Sequence, residues 1–493
     1  MSQIYNPYLP LNEYVPDGEP RVFGNRVYIY GSHDSAHASV YCPGHYVTWS
    51  ASVEDLTDWR YEGVIYKRNQ DPSNADDTLQ LWAPDATQGP DGRYYIYYCF
   101  NFRQEIGVAV ADTPIGPFEF YGHVKYPNNK YDGKILDEGM PFDPAVLCDE
   151  DGRVYLYYGF APAKEKEMYL PDLTEEQIAE LPDVMRKTYN VMKTVKLGEH
   201  CMVVELEQDM ITVKSEPKPC IPGGKHTAGT AFDGHGYFEA PSIRKIRGRY
   251  YLVYSSHKSH ELCYAVSNDP MQGFEYGGVV ISNGDIGFGN RRTPVYPIGN
   301  NHGGLAEING KYYIFYHRQT AGTEFSRQGC AEEIAIDEDG RIRQVEITSS
   351  GLNGKPLVGK GIYPASICSH LTCRTTMNHI DYDNPVMRQQ VRVVEDRNES
   401  FITDVDSGTV IGYKNFSILS KTNIMIEARG SFNGVVKLKL GEINGSECRN
   451  TINIQSEEWQ IISVGEMEYR EKTPIYFEFD GQGKLDIRHI VFV

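Results

Sequence analysis

The chain has 493 residues, with 48 Lys+Arg against 67 Asp+Glu, for a net charge of −19. Such a surface repels nucleic acid and anionic membranes, so neither is an expected partner, while a neutral substrate is not penalised. At 40% hydrophobic and 23% charged residues it can build a sizeable core and is not a disordered chain. The opening MSQIYNPYLPLNEYVPDGEP has no basic start and no apolar run, so no signal peptide is expected. Ten cysteines, Cys42 to Cys448, form no CxxC pair. The expectation is a cytoplasmic protein with reduced thiols. The 36 Tyr and 47 Gly favour an all-β fold.

A repeat runs through the first two-thirds. A glycine turn leads into an aromatic strand at Gly24-Asn-Arg-Val-Tyr-Ile-Tyr, and again at Gly92, Gly152, Gly248 and Gly310. Asp91, Asp151 and Asn309 precede three of these glycines, giving the Asp-Gly and Asn-Gly turns that join antiparallel strands. A second element recurs as Val108-Ala-Val-Ala-Asp112 and Tyr264-Ala-Val-Ser-Asn-Asp269, each leading to Pro, Gly, Phe and Glu. Five such units predict a five-bladed β-propeller over residues 1–348. A long β-sandwich is the competing reading. Between Gly152 and Gly248 lies an insertion. There Thr174-Glu-Glu-Gln177 fits a capping box, and a helical stretch broken by Pro182 runs to Thr194. Residues 349–361, SSGLNGKPLVGKG, read as a linker. Alternating runs from 362 to 493 predict a β-sandwich of jelly-roll type.

An ionisable residue stands upstream of each repeated turn: Asp17, Asp85, Asp143, Glu239 and His302. Innermost propeller strands line the axis, so these groups are expected to converge at one end of it. Clustered carboxylates push their pKa values apart, which lets an acid and a base coexist near neutrality. With no GxSxG, GxxxxGK[ST] or HExxH in the chain, the cluster points to glycoside hydrolysis. Trp82 and Phe142 flank the acids and are candidates for stacking on a sugar ring.

The segments VPDGEPRVFGNRVYIYGS, LWAPD, PFDPAV and FEAPSIRKIRGRYYLVYSS resemble glycoside hydrolase family 43 over about residues 5–345. The resemblance implies a five-bladed propeller that inverts configuration with three acids. It assigns Asp17 as general base, although Asp17-Gly-Glu-Pro replaces the family's Asp-Pro. It assigns Asp143 of Phe-Asp-Pro as the residue that tunes and positions the acid, and Glu239 of Glu-Ala-Pro as general acid. It also implies axis-facing roles for His302 and Arg327, with Asp85 and His33 as further substrate-binding candidates. No cofactor is required. A calcium ion on the axis at His302, or in the β-sandwich, is an option the resemblance leaves open.

The segments Thr403-Asp-Val-Asp-Ser-Gly-Thr-Val-Ile-Gly-Tyr-Lys-Asn-Phe and Leu485-Asp-Ile-Arg-His-Ile-Val-Phe resemble a family 6 carbohydrate-binding module. The sole Trp after residue 361 is Trp459, which favours a structural role packed against the propeller. The expected activity is exo-release of terminal α-L-arabinofuranosyl or β-D-xylosyl units from arabinoxylan- or xylan-derived oligosaccharides. A non-catalytic sugar-binding propeller and a retaining fructan hydrolase are the alternatives.

Overall fold

A computed structural model describes residues 3–101, 103–163, 172–374, 390–445 and 447–493. Five antiparallel sheets follow one another along the chain. Blade one is β1 (Glu19–Phe23), β2 (Arg26–Tyr30), β3 (Tyr46–Ser52) and β4 (Asp55–Tyr66). Blade two is β5 (Leu81–Gln88), β6 (Tyr94–Phe100), β7 (Gly107–Ala111) and β8 (Glu119–His123). Blade three is β9 (Ala145–Cys148), β10 (Val154–Tyr158), β11 (His200–Leu206) and β12 (Lys218–Pro222). Blade four is β13 (Tyr237–Ile246), β14 (Arg249–Ser256), β15 (Glu261–Ser267) and β16 (Glu275–Ser282). Blade five is β17 (Leu305–Ile308), β18 (Lys311–Gln319) and β19 (Arg327–Ile334). The first strands touch in a closed ring, β1 to β5, β5 to β9, β9 to β13, β13 to β17 and β17 to β1, which makes a five-bladed propeller.

The repeat has a direct physical reading. Gly24, Gly92, Gly152, Gly248 and Gly310 all have φ between 61° and 82°, and a Cβ there would meet nothing within 4 Å. The turn conformation, not lack of space, selects glycine. The strand after each turn is apolar on both faces because each blade is packed between two others. In β6, Ile96 and Tyr98 join the core shared with Tyr28 and Tyr30 of blade one. Their neighbours Tyr95 and Tyr97 face Val154, Leu156 and Tyr158 of blade three. Alternation is lost because both sides are interior.

The amino-terminal segment closes the ring. Asn6 exchanges hydrogen bonds with the backbone of Ala331 at 3.0 Å in both directions, and Tyr8 N donates to the Gly329 carbonyl at 3.2 Å. Blade five thus receives an outer edge from the start of the chain. The insertion folds as expected. Thr174 and Gln177 form the capping box of a helix at Glu175–Glu180, and a second helix, Asp183–Thr194, starts after Pro182.

The carboxy-terminal unit is a nine-stranded sheet. It contains β20 (Leu357–Val358), β21 (Gly361–Pro364), β22 (His370–Thr372), β23 (Arg392–Asp396), β24 (Glu399–Val405), β25 (Val410–Ile418) and the long β26 (Thr422–Leu440), β27 (Glu447–Met467) and β28 (Arg470–Phe492). One continuous core joins it to blades four and five, with Leu305, Ile314 and Tyr316 packed in the same cluster as Leu357, Ile367 and Tyr413. Residues 349–361, expected as a linker, are tied down: Ser349 and Leu357 are fully buried, and β20 pairs in parallel with β25. Fully buried Arg318 donates to the Cys368 carbonyl at 3.0 Å and lies 4.7 Å from the Tyr296 ring centroid. Two guanidiniums, of Arg429 and Arg488, lie over the Trp459 ring at 4.5 and 4.8 Å.

Candidate active site

Irregular backbone at the strand entrances aims the acids into one cavity. Asp17 (φ 56°) and Asp143 (φ 46°) lie in the left-handed region, as does Ala240 (φ 64°), directly after Glu239. Each such residue costs about 1–3 kcal/mol and persists only where surrounding packing enforces it. In β13 the pairing with β14 slips on both sides of Glu239, between Tyr237 and Glu239 and between Glu239 and Ser242. Such a bulge re-aims a side chain that a regular strand would hold in the sheet. Asp17, Asp143 and Glu239 all line a cavity of about 600 Å³ with Trp82, Phe142, His302 and Arg327.

The three carboxyls differ in partners. Arg327 Nη1 donates to Asp17 Oδ1 at 2.9 Å, and His317 Nδ1 lies 3.2 Å from the same oxygen. Arg327 is held in turn by Asp34, with Nε to Oδ2 at 2.8 Å and Nη2 to Oδ1 at 3.2 Å. Burial opposes the charge on Asp17, but Arg327 and His317 overcome it and hold the carboxyl well below the usual range. Burial, then the charge of Asp17, pushes Glu239 up to about 8 against the pull of Arg327. Asp143 is also raised well above its ordinary value, by burial and then by Glu239 and Asp17. Burial is the largest cause at both Asp143 and Glu239, and the two carboxyls titrate as a coupled pair. His302 Nδ1 lies 3.8 Å from Asp143 Oδ2, and burial lowers this imidazole to about 4, so the contact joins a neutral ring to a carboxyl.

An aromatic wall lines the cavity. Trp82 meets Phe142 edge-on at 5.5 Å, Phe142 meets Phe160 at 5.2 Å, and Phe160 meets Phe238 at 5.1 Å. Phe142 is only 1% exposed, so it supports this wall more than it presents a stacking face. Val195 and Leu197, at the end of the insertion, pack behind these rings. Tyr41 lies over the Arg327 guanidinium at 4.8 Å and edge-on to Phe325 at 4.6 Å.

Two expected residues lie elsewhere. Asp85 is fully buried and is not on the cavity wall. Arg21 Nε donates to its Oδ1 at 2.9 Å, and the Val146 amide donates to its Oδ2 at 2.8 Å. It is a structural tie between β1, β5 and β9. His33 also misses the cavity, with Nε2 at 2.9 Å from Glu13 Oε1. Its neighbour Asp34 instead accepts from Arg327. Glu19, the rival of Asp17 in Asp-Gly-Glu-Pro, is buried against Arg244 Nη2 at 2.7 Å and Ser242 Oγ at 2.9 Å. Sequence reasoning did not single out Tyr41, His257, Lys258, Asn300 or Glu324, which also line the cavity, nor His317 and Asp34 behind it.

Calcium takes six to eight oxygen ligands. Among the described residues, His302 belongs to no group of three whose ligand atoms gather tightly enough for one ion, and neither does any set in the carboxy-terminal unit. No catalytic step is routed through an ion there.

The sequence pattern of Glycosyl hydrolases family 43 matches residues 11–199. A "Xylosidase/arabinosidase" from Thermoclostridium stercorarium is 42% identical over 99% of this chain and 98% of its own length. The chain belongs to glycoside hydrolase family 43. It is a glycosidase. A second "Xylosidase/arabinosidase", from Bacteroides ovatus, is 29% identical over 69% of this chain and 97% of its own. A family 43 enzyme structure from Xanthomonas citri is 25% identical, covers 70% of this chain and 94% of that one, and superposes with a TM-score of 0.51. These matches set aside both alternatives, the non-catalytic propeller and the fructan hydrolase.

Proposed function

We propose that this family 43 glycosidase releases terminal pentoses, α-L-arabinofuranosyl or β-D-xylosyl, from arabinoxylan- and xylan-derived oligosaccharides, with inversion. The observation that carries the reading is the opposed charge preference within one cavity. Asp17 is locked ionised by Arg327 and His317, while Glu239 retains its proton to about 8. The names of the two xylosidase/arabinosidase relatives support the pentose specificity. The Bacteroides relative is matched over 97% of its length by 69% of this chain, which supports placing the chemistry within the propeller. The cavity volume suits a few sugar rings.

The proposed mechanism follows from these preferences. Glu239 donates its proton to the glycosidic oxygen as the bond to the anomeric carbon breaks. Asp17 takes a proton from a water molecule that attacks that carbon from the opposite face. Arg327 keeps Asp17 ionised and oriented, and Asp34 keeps Arg327 in place. Asp143 and neutral His302 form the polar floor beside Glu239. Both proton carriers are side chains, so the reaction as proposed needs no cofactor. A cytoplasmic location is proposed with it, on the reading of the cysteines as reduced thiols.

The test is hydrolysis of a panel of nitrophenyl pentosides, followed by NMR of the first-formed sugar. The expected result is release of arabinose or xylose, first seen as the anomer opposite to the substrate. Retention in the first-formed product overturns the assignment of Asp17 as a base acting through water.

A further inference from the structure

Outside the cavity, the base of the insertion gathers three ligand-type side chains. His200 opens β11 and pairs with Pro222 of β12, and the Gly223 amide donates to the Glu199 carbonyl at 3.0 Å. That pairing brings Glu199 and His200 against the short helical turn Gly224–His226. One ligand atom from each of Glu199, His200 and His226 lies within 4.8 Å of the other two. His226 Nε2 is 3.5 Å from Glu199 Oε2, and the two imidazole rings lie 4.6 Å apart, tilted by 35°. Atoms bound to one tetrahedral Zn²⁺ at ~2.0–2.1 Å stand about 3.3 Å apart, so closure needs only small side-chain adjustments. His200 Nδ1 is buried with no hydrogen-bond partner, a polar atom aimed at nothing the protein supplies.

We propose that Glu199, His200 and His226 form a binding site for a divalent transition ion of the Zn²⁺ class, held by two imidazole nitrogens and one carboxylate oxygen. The donor set selects the ion: imidazole suits Zn²⁺, whereas Mg²⁺ and Ca²⁺ favour all-oxygen sites. A second cluster, His235, Glu261 and Cys263, is equally tight but already holds a cation, with Lys258 Nζ 3.5 Å from Glu261 Oε1. The two clusters are thus distinguishable. An ion at the first would fasten the end of the insertion to the turn that carries Gly224. A Cβ on Gly224 would meet Ala163 and His257, both of which line the catalytic cavity. The site would brace that wall from behind.

The test is equilibrium dialysis and titration calorimetry of tag-free full-length protein with ZnCl₂ near pH 7.5, alongside thermal melts. The expected result is one tight Zn²⁺ per chain and a raised Tm. His226→Ala and Glu199→Gln, both at exposed positions, should each weaken binding at least tenfold and abolish the Tm rise. His235→Ala should change neither, and MgCl₂ should not compete. Absence of stoichiometric Zn²⁺ uptake by the wild type overturns the site. So does uptake that survives His226→Ala and Glu199→Gln, or that is lost with His235→Ala. None of these readouts depends on the pentosidase reading.

Discussion

Two charge clusters share the propeller axis and differ in how their carboxyls are partnered, although burial raises Glu19 in the balanced one as well. At the mouth, Asp17, Asp143 and Glu239 face Arg327, which is itself shared with Asp34. The other cluster, off the cavity wall, has two carboxyls, Glu19 and Asp85, facing two guanidiniums, Arg244 and Arg21. Where charges balance, each carboxyl is tied to a partner and the network cross-links blades one, two and four. Where carboxyls are in excess, one claims the guanidinium and the other two keep protons to unusually high pH. A carboxyl at a blade entrance is common to both clusters, so position does not make a residue reactive. Access to the cavity, which Asp17, Asp143 and Glu239 have and Glu19 and Asp85 lack, does.

The largest expected effects separate the clusters by type of damage. Asp17→Asn leaves no group to take the proton of the attacking water and should lower kcat by about 10²–10⁴-fold, the range for loss of general base catalysis. Its Tm should move little by comparison, because Arg327 keeps Asp34. Asp85→Asn should do the reverse. Arg21 would be left buried without its counter-charge, at a cost of about 3–5 kcal/mol. Denaturant melts should register that loss while kcat per folded molecule stays within a few-fold. Equal kinetic damage from both substitutions would collapse the distinction.

The division also explains what could be read from the sequence. The glycine turns supplied a frame, and counting back from each turn found Asp17, Asp143 and Glu239, all of which line the cavity. The same count found Asp85, whose role is decided by Arg21 on a different blade, a pairing that local spacing does not encode. His33 was singled out in place of Asp34 because motif reading does not fix which of two adjacent residues faces inward. Tyr41 and Glu324 come from loops whose path to the axis depends on the neighbouring blade. Phe325, beside Glu324, meets Tyr41 of blade one, while Gly322 of the same loop sits close to Val393 and Val394 of β23. The carboxy-terminal unit was legible as strands. Its packing against the propeller was expected, but not that it joins blades four and five in one continuous core, since burial across domains leaves the same alternating pattern as burial within one.

A smaller effect concerns stability against pH. Glu239 has its folded pKa raised to about 8, above an unfolded value near ~4.3. Between those values the native state holds a proton that the unfolded chain has released. Stability is therefore lost as pH rises through this window, by an amount on the order of a few kcal/mol at its upper end. Glu239→Gln removes that dependence. The variant should lose activity on natural glycosides, keep more on substrates with very good leaving groups, and melt higher than wild type at pH 8 than at pH 5. An unchanged difference in Tm between the two pH values would mean that Glu239 is ionised at neutrality. Wild-type kcat/KM should fall with a midpoint near 8. Its acid limb should lie well below the usual range of Asp titration, because Asp17 stays ionised there.

The smallest effect tests the pairing within the mouth. Glu239 and Asp143 are both raised, and the charge of Glu239 is part of what raises Asp143. We read Glu239 as the first of the pair to ionise, because its charge is among the causes that raise Asp143. With that order of ionisation, Asp143→Asn exchanges one uncharged group for another, and the alkaline limb of kcat/KM should move by less than about half a unit. The rate should still fall, by about 10-fold, because the amide alters the polar contact to His302 and the orientation of the floor beside the acid. A clear downward move of the alkaline limb would show that Asp143 carries charge in the working enzyme. The excess negative charge at the mouth would then be two carboxylates instead of one, and the order of ionisation within the pair would have to be exchanged.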